Sequence, residues 1–220
     1  MIHRARELLL EREIRRGSAP SSIALVISRE AMAPRWWRKV GEVAGWCSSL
    51  GIREATLFAP ACRPEIGGTV PPGKTSNETA NETAKEVAEE LMDLPVSGRL
   101  LVEDGDIAFG KGGPLDLVIS LDCGGKAEVT RAIRSVLEDV STGLIEPSEI
   151  NEGVIEERLR LKQRPDLLIR LGGRELSDFM IWQSAYSELY FIDRGWNSMK
   201  KVDFLRAVRD YQRRERRFGR

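Results

Sequence analysis

Apolar residues along this chain fall into two alternating rhythms: short continuous runs, and longer stretches with helical spacing. The segments 23–27, 54–59, 99–103 and 115–121 are short and rich in Ile, Leu, Val and Phe, and Leu167, Leu168 and Ile169 form a further run between Pro165 and Gly172. Runs this short and this apolar read as strands buried on both faces, as in a parallel sheet. Between them, apolar positions recur every three or four residues. Such spacing covers 2–16 with Leu8, Leu9 and Ile14; 34–50 with Trp36, Val40, Val43, Ala44 and Cys47; 78–94 with Val87, Leu91 and Met92; and 127–143 with Ile133, Val136, Leu137 and Val140. Each is a predicted helix with one face toward a core. The alternation predicts an α/β fold: a single domain over 1–220, with a central, mostly parallel sheet of about six strands flanked by helices. Residues 65–78 are rich in Gly, Pro, Thr and Asn and are expected to form a mobile loop.

Composition narrows the partners. Thirty-four basic residues balance 34 acidic ones, so no global field recruits nucleic acid, which is not an expected partner. The three cysteines, Cys47, Cys62 and Cys123, lack metal-ligand spacing, and their odd number suits a reducing cytoplasm better than a disulfide framework. No apolar run approaches the roughly 20 residues of a bilayer span, and the amino terminus is too charged for a signal peptide. The expected location is cytoplasmic, at most peripheral at a membrane. Arginines in 2–16 point toward a membrane surface, and Glu7, Glu11 and Glu13 stand against it.

Candidate chemistry concentrates in 165–193. Arg170 ends the apolar run, Gly172 and Gly173 allow a tight turn, Arg174 adds a second cation, and Ser177 is a good N-cap for a helix through Ile181, Trp182 and Tyr186. A strand, a Gly-Gly turn, two guanidiniums and a helix N-terminus make an anion site at the crevice of an open α/β sheet. The same spacing also fits an ordinary βα turn with solvated arginines.

Asp166, Leu167, Ile169, Arg170, Gly172, Gly173, Ser177, Asp178, Phe179, Trp182, Gln183, Ala185, Tyr186, Glu188, Leu189, Tyr190 and Phe191 resemble the signature of the cis-prenyltransferases, the undecaprenyl diphosphate synthase family. The resemblance implies that Arg170, Gly172, Gly173, Arg174 and Ser177 hold the diphosphate of isopentenyl diphosphate and that Glu188 helps bind Mg²⁺. The loop carrying Arg174 is one residue shorter than the family's. The carboxyl-terminal run around Arg217 and Gly219 is nearly verbatim the family's ending, whose Arg-x-Gly reaches a partner's active site; a free basic tail is the alternative.

Other segments depart from the family. After the first strand, Ser28 stands where the family has its magnesium aspartate and Arg29 where it has glycine, so no catalytic residue is assigned in this chain. Glu30 and Asp122 are the alternative metal ligands, though Glu30 reads more readily as a solvated loop acid and Asp122 as a cap or turn residue. The loop after the second strand keeps only Arg63 and Pro64 of the family's substrate loop. The helix resembling the family's tunnel wall is cut short by Pro95, Ser97 and Gly98. The expectation is an accessory subunit, inactive or weakly active alone, of a heteromeric cis-prenyltransferase that makes polyprenyl diphosphate for lipid glycan carriers. Its partner would be a homologous catalytic subunit, in a heterodimer or heterotetramer, with a homodimer when alone. The rival is an active homodimer with a rearranged metal site.

Overall fold

A computed structural model describes residues 2–28, 31–32, 35–59, 76–102, 105–121, 124–173 and 180–214, with backbone alone for 2–5 and 76–80. The expected loop at 65–78 falls largely outside them. In order come α1 (Ile2–Ile14), β1 (Ser22–Ile27), a 3₁₀ turn (Trp36–Lys39) leading into α2 (Val40–Ser49), β2 (Glu54–Ala59), α3 (Ser76–Glu90), β3 (Ser97–Val102), β4 (Gly105–Phe109) and β5 (Asp116–Leu121). Then follow α4 (Gly125–Ser141), α5 (Glu152–Arg158), β6 (Leu167–Leu171), β7 (Glu188–Ile192) and α6 (Lys201–Arg213).

The strands form one sheet in the order β4-β3-β5-β2-β1-β6-β7. Every pairing is parallel except β3 with β4. The sheet thus has seven strands where about six were expected. The additional one, β4, is an antiparallel edge strand whose residues alternate between exposed and partly buried, so it lacks the continuous apolar run that marks a central strand.

Alternation along the strands splits the core in two. Ile23, Leu25 and Ile27 of β1 face the larger core, with Leu10, Trp36, Val43, Val87, Trp196 and Phe204, whereas Ala24 and Val26 face a smaller one with Phe58, Val118, Leu161, Leu168 and Met180. At about 25 cal/mol per Å² of apolar area, each fully buried Leu or Ile contributes roughly 1.5–3 kcal/mol, so the larger core carries most of the stability.

Four expectations are corrected here. Leu10 and Ile14, not Leu8 and Leu9, are the inward residues of α1; Ile133 and Leu137 of α4 are exposed while Ala132 and Val136 are buried; and Met92 is exposed. The segment 180–186, expected to be helical, is a series of turns. Met180 sits in the left-handed region at φ 52°, and the Trp182 indole and Gln183 amide bond to α5 and α4 instead of lying along a continuing helix.

Candidate functional site

β1 is where the chain changes direction across the sheet: it leads to β2 on one side, and β6 later joins the other. The carboxyl ends of β1 and β6 therefore flank the crevice in which open α/β sheets bind ligands. Parallel pairing sets Val26 beside Arg170 and Ile27 beside Leu171. Beyond the strands, the Ser28 amide donates to the Leu171 carbonyl at 3.0 Å, and the Ser28 hydroxyl donates to the Gly172 carbonyl at 3.0 Å and accepts from the Ala31 amide at 3.2 Å. Ser28 is 3% exposed. Its hydroxyl is thus both buried and bonded, and closes the loop after β1 onto the loop after β6.

Gly172 makes that closure possible. Its φ is +78°, and a Cβ there would lie 2.1 Å from the Ala31 Cβ and 2.7 Å from the Ser28 hydroxyl oxygen. Glycine is required by both backbone angle and space. At Gly173 a Cβ would meet nothing within 4 Å. Of the expected diphosphate ligands, Arg170 lies half-buried at this edge, on the sheet face shared with Val26 and Leu168. Arg174, Ser177, Arg217 and Gly219 lie outside the described residues, as do Glu30 and Asp122. The described part of the site is one guanidinium beside a Gly-Gly turn, enough to grip an anion's oxygens and without a helix N-terminus behind it among the described residues.

Glu188 is not brought to this edge by its own chain. It pairs with Leu167, and Ile192 pairs with Leu171, so Glu188 lies at the opposite end of β7, four residues or about 13 Å from the strand's carboxyl end. Its carboxylate accepts from Arg214 at 3.0 Å, and Arg214 also bonds the Leu189 carbonyl and Asp210. Burial works against the Arg214 charge, but hydrogen bonds and attraction from Glu188 and Asp210 outweigh it and hold the guanidinium pKa above its ordinary value. This pairing was missed from sequence; the arginine-rich run after α6 was its only sign.

A resident Mg²⁺ takes several oxygen ligands, normally including a carboxylate. The described residues do not fit one: they hold no group of three or more His, Cys, Asp or Glu side chains placed for a metal, Ser28 offers a bonded hydroxyl, and Glu188 is engaged by a guanidinium. Under α2 lies an apolar cavity of about 10 Å³, bounded by Leu25, Val43, Cys47, Leu57, Leu117 and Trp196. That is about the space of one water molecule. Trp196, itself fully buried, closes it, with the indole N–H donating to the Trp36 carbonyl at 2.7 Å. Cys47 is core here: burial pushes its thiol pKa up to about 12.

Comparison with known proteins gives the family from a profile and from sequence relatives, and the fold from a solved structure. A family profile described as "Putative undecaprenyl diphosphate synthase" matches residues 78–219, a stretch that includes Arg170 and Gly172 but neither β1 nor Ser28. A tritrans,polycis-undecaprenyl-diphosphate synthase (geranylgeranyl-diphosphate specific) of Methanopyrus kandleri is 30% identical over 250 aligned residues, covering 100% of this chain and 92% of that protein. Those 250 positions exceed the 220 residues here, so at least 30 positions of that relative have no counterpart. A synthase of the same name from Methanocaldococcus jannaschii reaches 49% over 106 residues, 46% of this chain and 38% of that one. Lavandulyl diphosphate synthase from Lavandula x intermedia shares the fold at a TM-score of 0.70 and 19% identity, over 94% of this chain and 100% of that one. By profile and by similarity along its whole length, this chain belongs to the undecaprenyl diphosphate synthase family of cis-prenyltransferases.

Proposed function

We propose that this chain is the accessory subunit of a heteromeric cis-prenyltransferase, holding isopentenyl diphosphate or shaping a partner's site rather than catalysing condensation itself. The observation that carries this reading is Ser28: at the carboxyl end of β1 it is a buried neutral hydroxyl already bonded to Gly172 and Ala31. Departure of a diphosphate requires that its developing charge be neutralised, and a hydroxyl in that place neither ligates a hard cation well nor carries charge. One further fact supports it: Glu188 is held by Arg214 at the far end of β7. In this reading Mg²⁺ belongs to the partner's site. Arg170, with Arg174 and Ser177, grips the diphosphate, and the terminal Arg217 and Gly219 serve the partner.

Purified alone with Mg²⁺, isopentenyl diphosphate and an allylic diphosphate, the chain gives no elongation; combined with a catalytic homologue that keeps the aspartate, it raises that homologue's rate. Turnover by the lone chain of about 1 per second or faster overturns the reading. It would establish the rival, a self-sufficient homodimer, which similarity over the whole chain to proteins named as synthases favours.

A further inference from the structure

α1 carries two adjacent leucines that the core does not use. Leu10 and Ile14 anchor the helix at 5% and 1% exposed, while Leu8 and Leu9 stand 60% and 68% exposed. At 3.6 residues per turn, Leu8, Leu9 and Arg12 fall within about 100° of arc on α1, and Arg15 and Arg16 follow in the turn after it; all three arginines are exposed, Arg15 also donating to the Ser49 carbonyl at 3.3 Å. Two of the three acids that weigh against a membrane in the sequence, all but Glu7, are drawn toward α6: Glu11 pairs with Lys201 at 2.5 Å, and Glu13 with Arg213 at 2.8 Å and Arg209 at 3.7 Å. Folding thus sorts the helix. Two of its carboxylates, Glu11 and Glu13, are paired with basic residues of α6 along its flanks, and its outward strip is leucine and arginine.

We propose that this outward face of α1 docks the protein peripherally on an anionic lipid bilayer. A protein interface of ordinary size needs on the order of 800 Å² per side around a centre poor in charge, and two leucines interleaved with three guanidiniums do not make such a centre. A bilayer surface accepts the same pattern. The leucines enter the boundary of headgroups and acyl chains, and the arginine stems lie along it with their guanidiniums at lipid phosphates. Among the described residues no helix is long and apolar enough to cross a membrane, so this contact is a reversible surface one. The inference stands apart from the accessory reading, since none of its residues touches the Arg170 site.

The test is co-sedimentation of the full chain with vesicles of phosphatidylcholine alone and of equimolar phosphatidylcholine and phosphatidylglycerol. Binding is expected to the anionic vesicles, weaker by about tenfold or more to the neutral ones, and falling as salt screens the charges. Leu8→Gln with Leu9→Gln, and separately Arg12→Gln with Arg16→Gln, each weaken it by about tenfold with unchanged circular dichroism. Equal binding to both vesicles, or variants that bind as wild type does, overturns the proposal. So does a leucine variant that changes the oligomeric state by light scattering while vesicle binding stays the same, which would make the face a protein contact.

Discussion

At the scale of single residues, the junction between β1 and β6 depends on Gly172 and Ser28. Gly172→Ala combines a left-handed backbone, costing about 1–2 kcal/mol for a residue with a Cβ, with a contact of 2.1 Å against Ala31, for which overpacking typically costs about 1–3 kcal/mol. The expected loss is roughly 2–5 kcal/mol by urea denaturation. Ala31→Gly in the same chain should recover the Ala31 part of the contact and leave the backbone part and the 2.7 Å approach to the Ser28 hydroxyl oxygen, and full recovery would show that neither is strained. Ser28→Asp asks whether the family's carboxylate can simply be put back. An ionised aspartate only accepts, so it cannot replace the donation of the Ser28 hydroxyl to the Gly172 carbonyl, and at a position 3% exposed its charge is desolvated. Both effects raise the folded-state pKa of the new carboxyl above the unfolded value of about 3.9. The penalty is then fully present above the raised pKa and disappears below the unfolded one, so the deficit in urea midpoint should shrink between about pH 7 and about pH 4. A variant as stable as wild type at neutral pH that also gains Mg²⁺-dependent elongation would refute the description of Ser28 as a closed position.

At the scale of elements, the segment after Gly173 shows why part of the site could be read from the sequence and part could not. The Gly-Gly turn and Arg170 are local: a strand end and a turn are specified by a few neighbouring residues. The Ser28 closure joins positions 144 apart in sequence, and the Glu188–Arg214 pair joins positions 26 apart, so neither is visible in a local pattern. Ile181, Trp182 and Tyr186 satisfy helical spacing, yet tertiary bonds override it. The Gln183 amide donates to the Leu161 carbonyl at 2.9 Å and to Glu128 at 3.3 Å. Glu128 is 2% exposed and also accepts the Arg160 and Leu161 amides, so a buried carboxylate joins α4 to this segment. On the other side, Glu156 of α5 accepts from the Trp182 indole at 3.1 Å and from Arg164, and these two bonds, the indole's first, hold its carboxyl below the usual carboxylate range. A depressed folded-state pKa contributes stability above the unfolded value of about 4.3 and loses it as pH falls through the folded one. Acidification below about pH 4 should therefore detach the Trp182 indole from Glu156, and Trp182→Phe should move the Glu156 pKa, followed by NMR, upward toward normal. A titration unchanged in that variant would mean that Arg164 alone sets it.

At the scale of the whole molecule, the described residues cover the two faces of the sheet unequally, and in the accessory reading the thinner side is where a partner would fit. The larger core is covered by α1, α2, α3 and α6, while on the smaller core's side α4 packs on α5 and leaves Ile133 and Leu137 43% and 56% exposed. Ile181 and Tyr186 in the turns, and Phe191 on the edge strand β7, are exposed as well. An edge strand beside exposed apolar side chains is a liability unless something covers it. In the accessory reading that cover is the catalytic subunit, and the carboxyl-terminal tail starts close by: Arg214 anchors the end of α6 to Glu188 and Leu189 on β7. The six residues that follow span at most about 20 Å when extended, so a role for Arg217 and Gly219 in a partner's site requires that site to lie near β7. The two parts of this argument can be separated by experiment. Ile133→Glu with Leu137→Glu changes residues that this chain does not bury, so it should fold as wild type while weakening association with a catalytic homologue by about 100-fold or more, because a carboxylate desolvated at the centre of an interface is costly. Deletion of 218–220 should do the opposite, leaving the complex intact by light scattering and lowering its rate. A glutamate variant that still associates with full strength would place the partner on another face. A deletion that leaves the rate unchanged would reduce the tail to a solvated basic end.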